Sequence, residues 1–239
     1  MTSQTTTWKA RLGYLSPSVF EFPSDWSLIL PPGVSLVATG LNVQSHTAEE
    51  FDRAIGTLES ALSVFFAEEV DALLLGGITI ATRRGYKEEK EIVSALTQRL
   101  GIPTNSALGA NADALKHLGA HRIVVATAYR EEINQKLERY LGEAGFEVSG
   151  ISGLNVARPV DQVKLPEDAS YKSASGIFRR HPDADAILIH GRWRSVAHVD
   201  RLERETGRPV VASTAASLWW ALKTLELKIP IQGYGQLLR

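Results

Sequence analysis

Short apolar runs alternate along the chain with stretches of helical periodicity. The runs cover residues 12–15, 34–41, 72–75, 123–127, 148–151, 186–189 and 210–212. Several are continuously apolar instead of alternating, which is typical of strands covered on both faces within a parallel sheet. The pattern therefore predicts an α/β fold.

The stretches between these runs carry helix signals of their own. Apolar residues recur at steps of three and four, which predicts one buried face per helix. The clearest stripes are Phe51, Ile55, Leu58, Leu62 and Phe65; Leu108, Ala112, Leu115 and Leu118; and Ile133, Leu137 and Leu141. Thr47 and Glu50 have the spacing of a capping box before the first stripe. Gly119 stops the second stripe, and Gly142 and Gly145 follow the third.

The chain also contains an internal repeat. DALLLGG at 71–77 resembles DAILIHG at 185–191. Each is followed by a helical stretch, by a Gly-x-Pro strand start (101–103 and 207–209) and by a small polar cluster (104–106 and 213–214). These features predict two pseudo-symmetric lobes, each with a parallel four-stranded sheet flanked by helices. We place the first lobe at 1–118 together with 218–239, and the second at 119–217.

Gly77 and Gly191 end equivalent strands of this repeat. Open α/β folds bind ligands at the carboxyl ends of their strands, so we expect the site in the cleft between the lobes, floored by these two glycines. Each glycine either makes a tight turn or enlarges the cleft. The stretch 155–169 has two prolines and no periodicity, and predicts a long connection that covers the site or lies irregularly on the surface.

The composition limits the kinds of partner that the protein is expected to bind. Of the 239 residues, 26 are Lys or Arg and 27 are Asp or Glu, so no basic excess exists to follow a phosphate backbone and no nucleic-acid partner is expected. No apolar run reaches the roughly 18 residues of a membrane span, which argues against a membrane partner. The first residues lack the apolar core of a secretory signal, and we expect a cytoplasmic protein.

The count of cysteines is zero. Disulfides, thiolate nucleophiles and cysteine-ligated metals are therefore excluded. The six histidines are scattered along the chain, and we expect no metal site and no cofactor.

The duplicated strand–Gly unit, VATAYREEINQKL at 125–137, the segment 186–219 and Gly-Tyr-Gly at 233–235 together resemble the aspartate/glutamate racemase superfamily. Within it, the nearest likeness is to arylmalonate decarboxylase and maleate cis–trans isomerase. The resemblance implies a two-lobed fold, a cofactor-independent reaction on a small carboxylate substrate between the lobes, and a monomer or small homo-oligomer.

The resemblance also implies residue roles. Racemases and isomerases of this kind use two cysteines, one at the end of the equivalent strand in each lobe, and the decarboxylases keep only the second. Those positions here are Gly77, which matches the decarboxylase pattern, and Gly191, which matches neither. Thr79 and Tyr129 fall on positions of an anion hole that holds one carboxylate and stabilises an enediolate, and Ile78 replaces a hydroxyl neighbour. A helix cap for Thr79 and a structural hydrogen bond for Tyr129 are the alternatives.

Further candidates surround these positions. His190 can replace the missing thiol as proton donor, unless strand alternation turns it toward a helix layer. Arg192 and Arg194 can bind a second carboxylate or lie in solvent, and Trp193 can form an apolar wall or pack under its loop. Arg83 and Arg84 can likewise bind a carboxylate or lie in solvent. We expect hydroxyl groups that donate to a substrate carboxylate from Ser16, Ser18, Ser213 and Thr214. Ser213 and Thr214 can alternatively cap a helix that starts near Ala215.

Together, these expectations predict a decarboxylase-like lyase that acts on a small carboxylate or dicarboxylate through an enediolate. Racemisation by two thiols and isomerisation by thiolate attack are excluded, because both need cysteine. A hydrolase or hydratase with water in the vacated space, a non-catalytic carboxylate-binding relative, and a natural cysteine replaced at position 191 stay as alternatives.

Overall fold

Two parallel four-stranded sheets form the framework of the protein in a computed structural model, which describes residues 8–20, 24–43, 48–77 and 84–239, with only the backbone at 48–52 and 54–56. The first sheet contains β1 (Ala10–Ser16), β2 (Val34–Gly40), β3 (Ala72–Leu75) and β4 (Thr104–Ser106) in the order β2-β1-β3-β4. The second contains β5 (Arg122–Thr127), β6 (Glu147–Gly153), β7 (Ala186–His190) and β8 (Val210–Ala212) in the order β6-β5-β7-β8. The identical order confirms the predicted pseudo-symmetry.

Helices flank both sheets. They are α1 (Asp25–Ile29), α2 (Ala48–Ala67), α3 (Tyr86–Leu100), α4 (Ala107–His117), α5 (Glu131–Glu143), α6 (Pro159–Gln162), α7 (Ala169–Arg180), α8 (Val199–Thr206) and α9 (Ser213–Thr224), with a final 3₁₀ turn at Gln236–Leu238. The three predicted apolar stripes coincide with α2, α4 and α5, and Leu118 of the second stripe is the C-cap of α4. No helix in the part of the chain described above is long and apolar enough to cross a membrane.

The repeat extends to individual hydrogen bonds. The carboxylate of Asp71 accepts a bond from the backbone nitrogen of Arg11 at 2.7 Å, and that of Asp185 accepts one from Arg122 at the same distance. Each aspartate thus fastens the start of the central strand to the strand beside it. The aspartate that opens both copies of the repeat in the sequence therefore sets strand register in both lobes.

The Gly-x-Pro segments are equivalent in the same way. Gly101 and Gly207 end α3 and α8 with φ of +69° and +66°, a left-handed conformation that glycine adopts without steric cost. The prolines that follow accept backbone bonds from Leu73 and Ile187, at 2.9 and 3.0 Å, and so begin the edge strands β4 and β8.

One apolar core runs through both lobes. A single cluster of buried side chains includes Leu12 and Leu74 of the first sheet with Val124 and Ile187 of the second. Helix α9 packs along α4, which joins the end of the second sheet to the end of the first. The division into lobes at residues 118 and 217 stays a prediction, and α9 runs through position 217.

The strand start predicted at 101–103 leads directly into β4, and the polar cluster 104–106 forms that strand. Two other local predictions differ from the structure. Gly142 lies inside the last turn of α5, and the chain leaves the helix at Gly145, where φ is +98°. Helix α9 begins at Ser213, two residues before Ala215. Thr47 of the capping box lies outside the described residues.

Candidate active site

A cavity of about 510 Å³ opens at the carboxyl ends of the strands, between the two sheets. Its walls include the sequence candidates Ser16, Ser18, Gly77, Tyr129, His190, Gly191, Arg192, Trp193, Ser213 and Thr214. Ile78 and Thr79 lie outside the described residues, so their predicted roles stay predictions. The cleft expected between the lobes is therefore present, and both lobes contribute to it.

The two glycines at the cavity floor adopt backbone conformations that residues with a side chain rarely take. The φ angle is +82° at Gly77 and +142° at Gly191. A Cβ at Gly77 would lie 2.5 Å from Cγ of Pro17, and one at Gly191 would lie 3.2 Å from Nε1 of Trp193. Both glycines are thus required by their turns. Pro17 fills the space that a side chain at Gly77 would take, whereas a side chain at Gly191 would lie in tight contact with Trp193.

His190 ends β7 and is buried. Its Nδ1 lies 2.8 Å from Nδ2 of Asn111. With the amide in this orientation the nitrogen donates, so Nδ1 accepts and Nε2 carries the proton. Burial lowers the pKa of His190 to about 4, so the ring is neutral at pH 7. Among the described residues no hydrogen bond involves Nε2. His190 therefore both contacts helix α4 and lines the cavity, as an uncharged N–H donor.

Asn111 is a site residue that the sequence analysis missed. It is fully buried on α4, and its Nδ2 also lies 3.4 Å from Oγ of Ser213. The sequence did contain a signal for Asn111. It follows Leu108 by three residues and so lies on the predicted apolar face of the helix. A buried amide on an otherwise apolar stripe indicates a specific polar partner.

Two tyrosines face the cavity from opposite lobes. Tyr129 follows β5, and its ring centroid lies 5.9 Å from that of His190. Burial, with a smaller contribution from nearby Tyr14, raises the pKa of Tyr129 above its usual value. Burial raises the pKa of Tyr14 to about 12, against the opposing charge of Arg192. Both hydroxyls are therefore protonated donors at pH 7. Tyr14, on a strand predicted only as core, was not among the sequence candidates.

The opposite wall of the cavity is aromatic. The ring of Tyr14 meets those of Phe20 and Trp26 edge to face, at centroid distances of 5.7 and 5.8 Å. Phe20, Trp26 and Trp193 all line the cavity. The cavity thus combines polar donors at its floor with an apolar wall that suits a hydrocarbon group.

The loop 191–195 is fastened on both sides of Trp193. The backbone nitrogen of Arg192 donates to Oε1 of Gln162 at 3.1 Å. The backbone nitrogen and hydroxyl of Ser195 donate to Oδ2 of Asp25 at 2.9 and 2.5 Å. Asp25 belongs to α1 in the first lobe, so this carboxyl holds a loop of the second lobe across the cleft. Burial raises the pKa of Asp25, and the bonds from Ser195 oppose that rise.

The connection 155–169 lies over the cavity. This agrees with the first of the two alternatives predicted for it, a covering segment, and not with an irregular surface loop. Gln162 of α6 is buried and binds Arg192, and Val163 lines the cavity. No periodic pattern in the sequence distinguished this covering role from a surface loop.

The arginines separate by location. The guanidinium of Arg192 lies close enough to Tyr14 to lower the pKa of that hydroxyl. Arg194 is exposed at the cavity rim, 3.3 Å from a carboxylate oxygen of Glu167. Arg84 forms an exposed ion pair with Glu88 at 2.7 Å and does not line the cavity. Arg83 lies outside the described residues.

The serine and threonine candidates also differ in their hydrogen bonds. The hydroxyl of Ser16 donates to the carbonyl of Val19 at 3.0 Å, within the turn after β1. Neither Ser213 nor Thr214 caps α9, whose N-cap is Ala212 without a side-chain bond. Ser18, Ser213 and Thr214 keep their place on the cavity wall.

The two four-stranded sheets and the cavity between them define a two-lobed α/β protein with a candidate small-molecule site where the lobes meet. The chain belongs to the arylmalonate decarboxylase family, whose model matches residues 13–238. It is 27% identical over 228 residues to the arylmalonate decarboxylase of Bordetella bronchiseptica, with 92% of each chain covered. It is 29% identical over 239 residues to the maleate isomerase of Nocardia farcinica, with 96% of this chain and 95% of the other covered.

Solved structures agree with this placement. The crystal structure of arylmalonate decarboxylase superposes with a TM-score of 0.84 at 23% identity, covering 95% of this chain and 98% of that one. The maleate isomerase of Pseudomonas putida S16 with maleate gives a TM-score of 0.85 at 21% identity, covering 96% and 97%. The resemblance and the fold class expected from the sequence are therefore confirmed.

Proposed function

We propose that the protein is a cofactor-independent lyase that decarboxylates a small dicarboxylate of the malonate type without a thiol. The observation that carries this proposal is a pair of uncharged donors side by side at the strand ends, buried His190 and half-buried Tyr129. Family membership supports a small carboxylate as substrate.

The reaction needs stabilisation of charge more than it needs a nucleophile. Cleavage of the bond between the α-carbon and one carboxylate releases CO₂ and leaves the electron pair on the remaining fragment as an enediolate. Its negative charge lies on two oxygens, where preorganised N–H and O–H donors in a water-poor site are most effective. The hydroxyl of Tyr129 and Nε2–H of His190 can supply two such donors.

The protonation state of His190 suits this role. A neutral imidazole donates a hydrogen bond to an enediolate without itself carrying charge, a use of histidine known in other enolate-forming enzymes. With a pKa of about 4, His190 keeps that state throughout the neutral range. Arg192 can offset the charge of a second carboxylate, and the wall of Phe20 and Trp26 can hold the hydrocarbon substituent.

Decarboxylation ends when the α-carbon of the enediolate accepts a proton. His190, Tyr129 and a cavity water are the three candidate sources. A donor fixed on one side of the cavity gives one stereoisomer, whereas water that reaches both faces gives a mixture.

Proton NMR in D₂O tests the proposal with arylmalonates, alkylmalonates, maleate and 2-substituted diacids. We expect loss of CO₂ and one deuterium at the α-carbon. Tyr129→Phe should lower kcat by about 10²-fold, the usual effect of removing one donor to an oxyanion. Tyr171→Phe is the matched control, because that hydroxyl bonds Glu205 away from the cavity. Binding of these acids without CO₂ loss or label would instead indicate a carboxylate-binding protein.

A further inference from the structure

Trp193 has a polar atom without a partner. The side chain is 6% exposed, and its indole Nε1 is buried with no hydrogen bond among the described residues. A buried donor left unpaired destabilises the fold, so a buried N–H without a partner calls for an explanation.

The location of this nitrogen supplies one. It lies 3.2 Å from the point where Cβ of residue 191 would be, and the backbone nitrogen of Ala128 lies 3.7 Å from the same point. The indole N–H therefore occupies the direction that a side chain at position 191 would take from the strand end. His190 lies immediately before this position and is itself a donor to the cavity.

Trp193 is also held in place from both sides. The residue before it is fastened to Gln162, and Ser195 is fastened to Asp25. The hydroxyl of Ser170 donates to the carbonyl of Arg194 at 2.6 Å. A donor fixed in this way loses little conformational freedom when it binds an anion, which is the condition for effective oxyanion stabilisation.

We propose that the indole N–H of Trp193 stands in for the absent side chain at position 191 and binds a carboxylate oxygen of the substrate, and the oxyanion formed from it. This inference rests on the proposed function for the reacting group, but its anion-binding part does not require turnover. An indole N–H only donates hydrogen bonds, so Trp193 is a binding group and not the source of the proton.

The indole resonances provide a direct test. The chain has five tryptophans, so ¹⁵N-tryptophan labelling gives five indole cross-peaks, and Trp193→Phe identifies one of them. We expect phenylacetate, the product of phenylmalonate decarboxylation, to move the Trp193 peak downfield at saturation. Trp8, Trp219 and Trp220 do not line the cavity, and their peaks should stay in place.

Kinetics of Trp193→Phe complete the test, because phenylalanine keeps an aromatic ring and loses the donor. We expect phenylacetate to bind about 10-fold more weakly and kcat on phenylmalonate to fall about 10²-fold, with a smaller change in KM. A shifted Trp193 peak without any turnover would refute the proposed lyase and support the subsite. Turnover by Trp193→Phe at the wild-type rate, saturation that leaves the Trp193 peak unmoved, or no binding of phenylacetate would overturn the subsite.

Discussion

The amide nitrogen of Asn111 lies 2.8 Å from Nδ1 of His190, between two side chains that are 0% and 3% exposed. This bond joins α4 to the end of β7 and determines which ring nitrogen carries the proton. The uncharged donor at the cavity floor is therefore a property of the pair and not of His190 alone.

Asn111→Asp should reverse that arrangement. A carboxylate at this position accepts from Nδ1–H and favours the imidazolium, so the pKa of His190 should rise from about 4 toward or above 6.5. We expect kcat to fall about 10-fold or more, because Nε2 in the neutral ring then becomes an acceptor. An NMR titration of the ¹⁵N-labelled ring measures the pKa. Asn42→Asp adds the same charge at an exposed site, and an equal pKa shift in that control would contradict the local explanation.

Neutral His190 also makes stability depend on pH. Its pKa falls from 6.5 in the unfolded chain to about 4 in the folded protein, so between these values the unfolded state binds more protons. The contribution is complete above pH 6.5 and is lost as the pH falls to 4, for a total of about 3 kcal/mol. Urea unfolding from pH 4.5 to 8 should show this slope in the wild type and lose it in His190→Gln. His121→Gln, at an exposed position, should keep it.

Gly191→Ala should destabilise the fold by about 1–3 kcal/mol, because the backbone at φ +142° is sparsely populated by residues with a side chain. The added methyl group also presses on Nε1 of Trp193. Gly142→Ala is the matched control inside α5, with nothing within 4 Å of the new Cβ, and should stabilise by about 0.5–1 kcal/mol. Thermal unfolding of both variants measures the contrast. A neutral effect of Gly191→Ala would show that the loop relaxes freely.

Ser195→Ala removes one of the two donors from Ser195 to Asp25. We expect a loss of about 1–2 kcal/mol in unfolding free energy, since the buried carboxyl keeps an unmet acceptor. The Ser195 hydroxyl lowers the pKa of Asp25, so the variant should raise that pKa further. A raised carboxyl pKa makes stability fall as pH rises from 3.8 to the folded value, and this window should extend upward in the variant.

Urea unfolding at several pH values measures both effects. Ser63→Ala provides the control, because that exposed hydroxyl bonds a carbonyl one turn earlier in α2. Equal losses in the two serine variants would argue against the cross-cleft bond.

The sequence predicted the sheets because their signal is local. Short apolar runs, several of them continuous, define seven strands, and the repeated aspartate and glycine positions define the duplication. The Gly-x-Pro segment at 101–103 predicted the start of the eighth strand, β4, but no apolar run marked its extent, because Thr104, Asn105 and Ser106 are buried polar residues.

The site was predicted less completely, since its key contacts join distant segments. Asp25 and Ser195 are 170 positions apart, and nothing near either residue indicates the other. The filling of the space beside Gly77 by Pro17, and beside Gly191 by Trp193, likewise depends on how the loops pack. Sequence reasoning found fewer than half of the residues that line the cavity, and none of the bonds between them.

The matching strand orders of the two sheets bear on how a protein with only one lobe would form this cavity. Each lobe supplies only one side of the cavity, so a one-lobe ancestor could have enclosed it only by pairing with a second copy across a twofold axis. In such a pair, equivalent positions are forced to be identical. A single chain with two lobes is free of that constraint, and its two strand ends differ. Proline fills the space beside one glycine, and an indole N–H fills it beside the other.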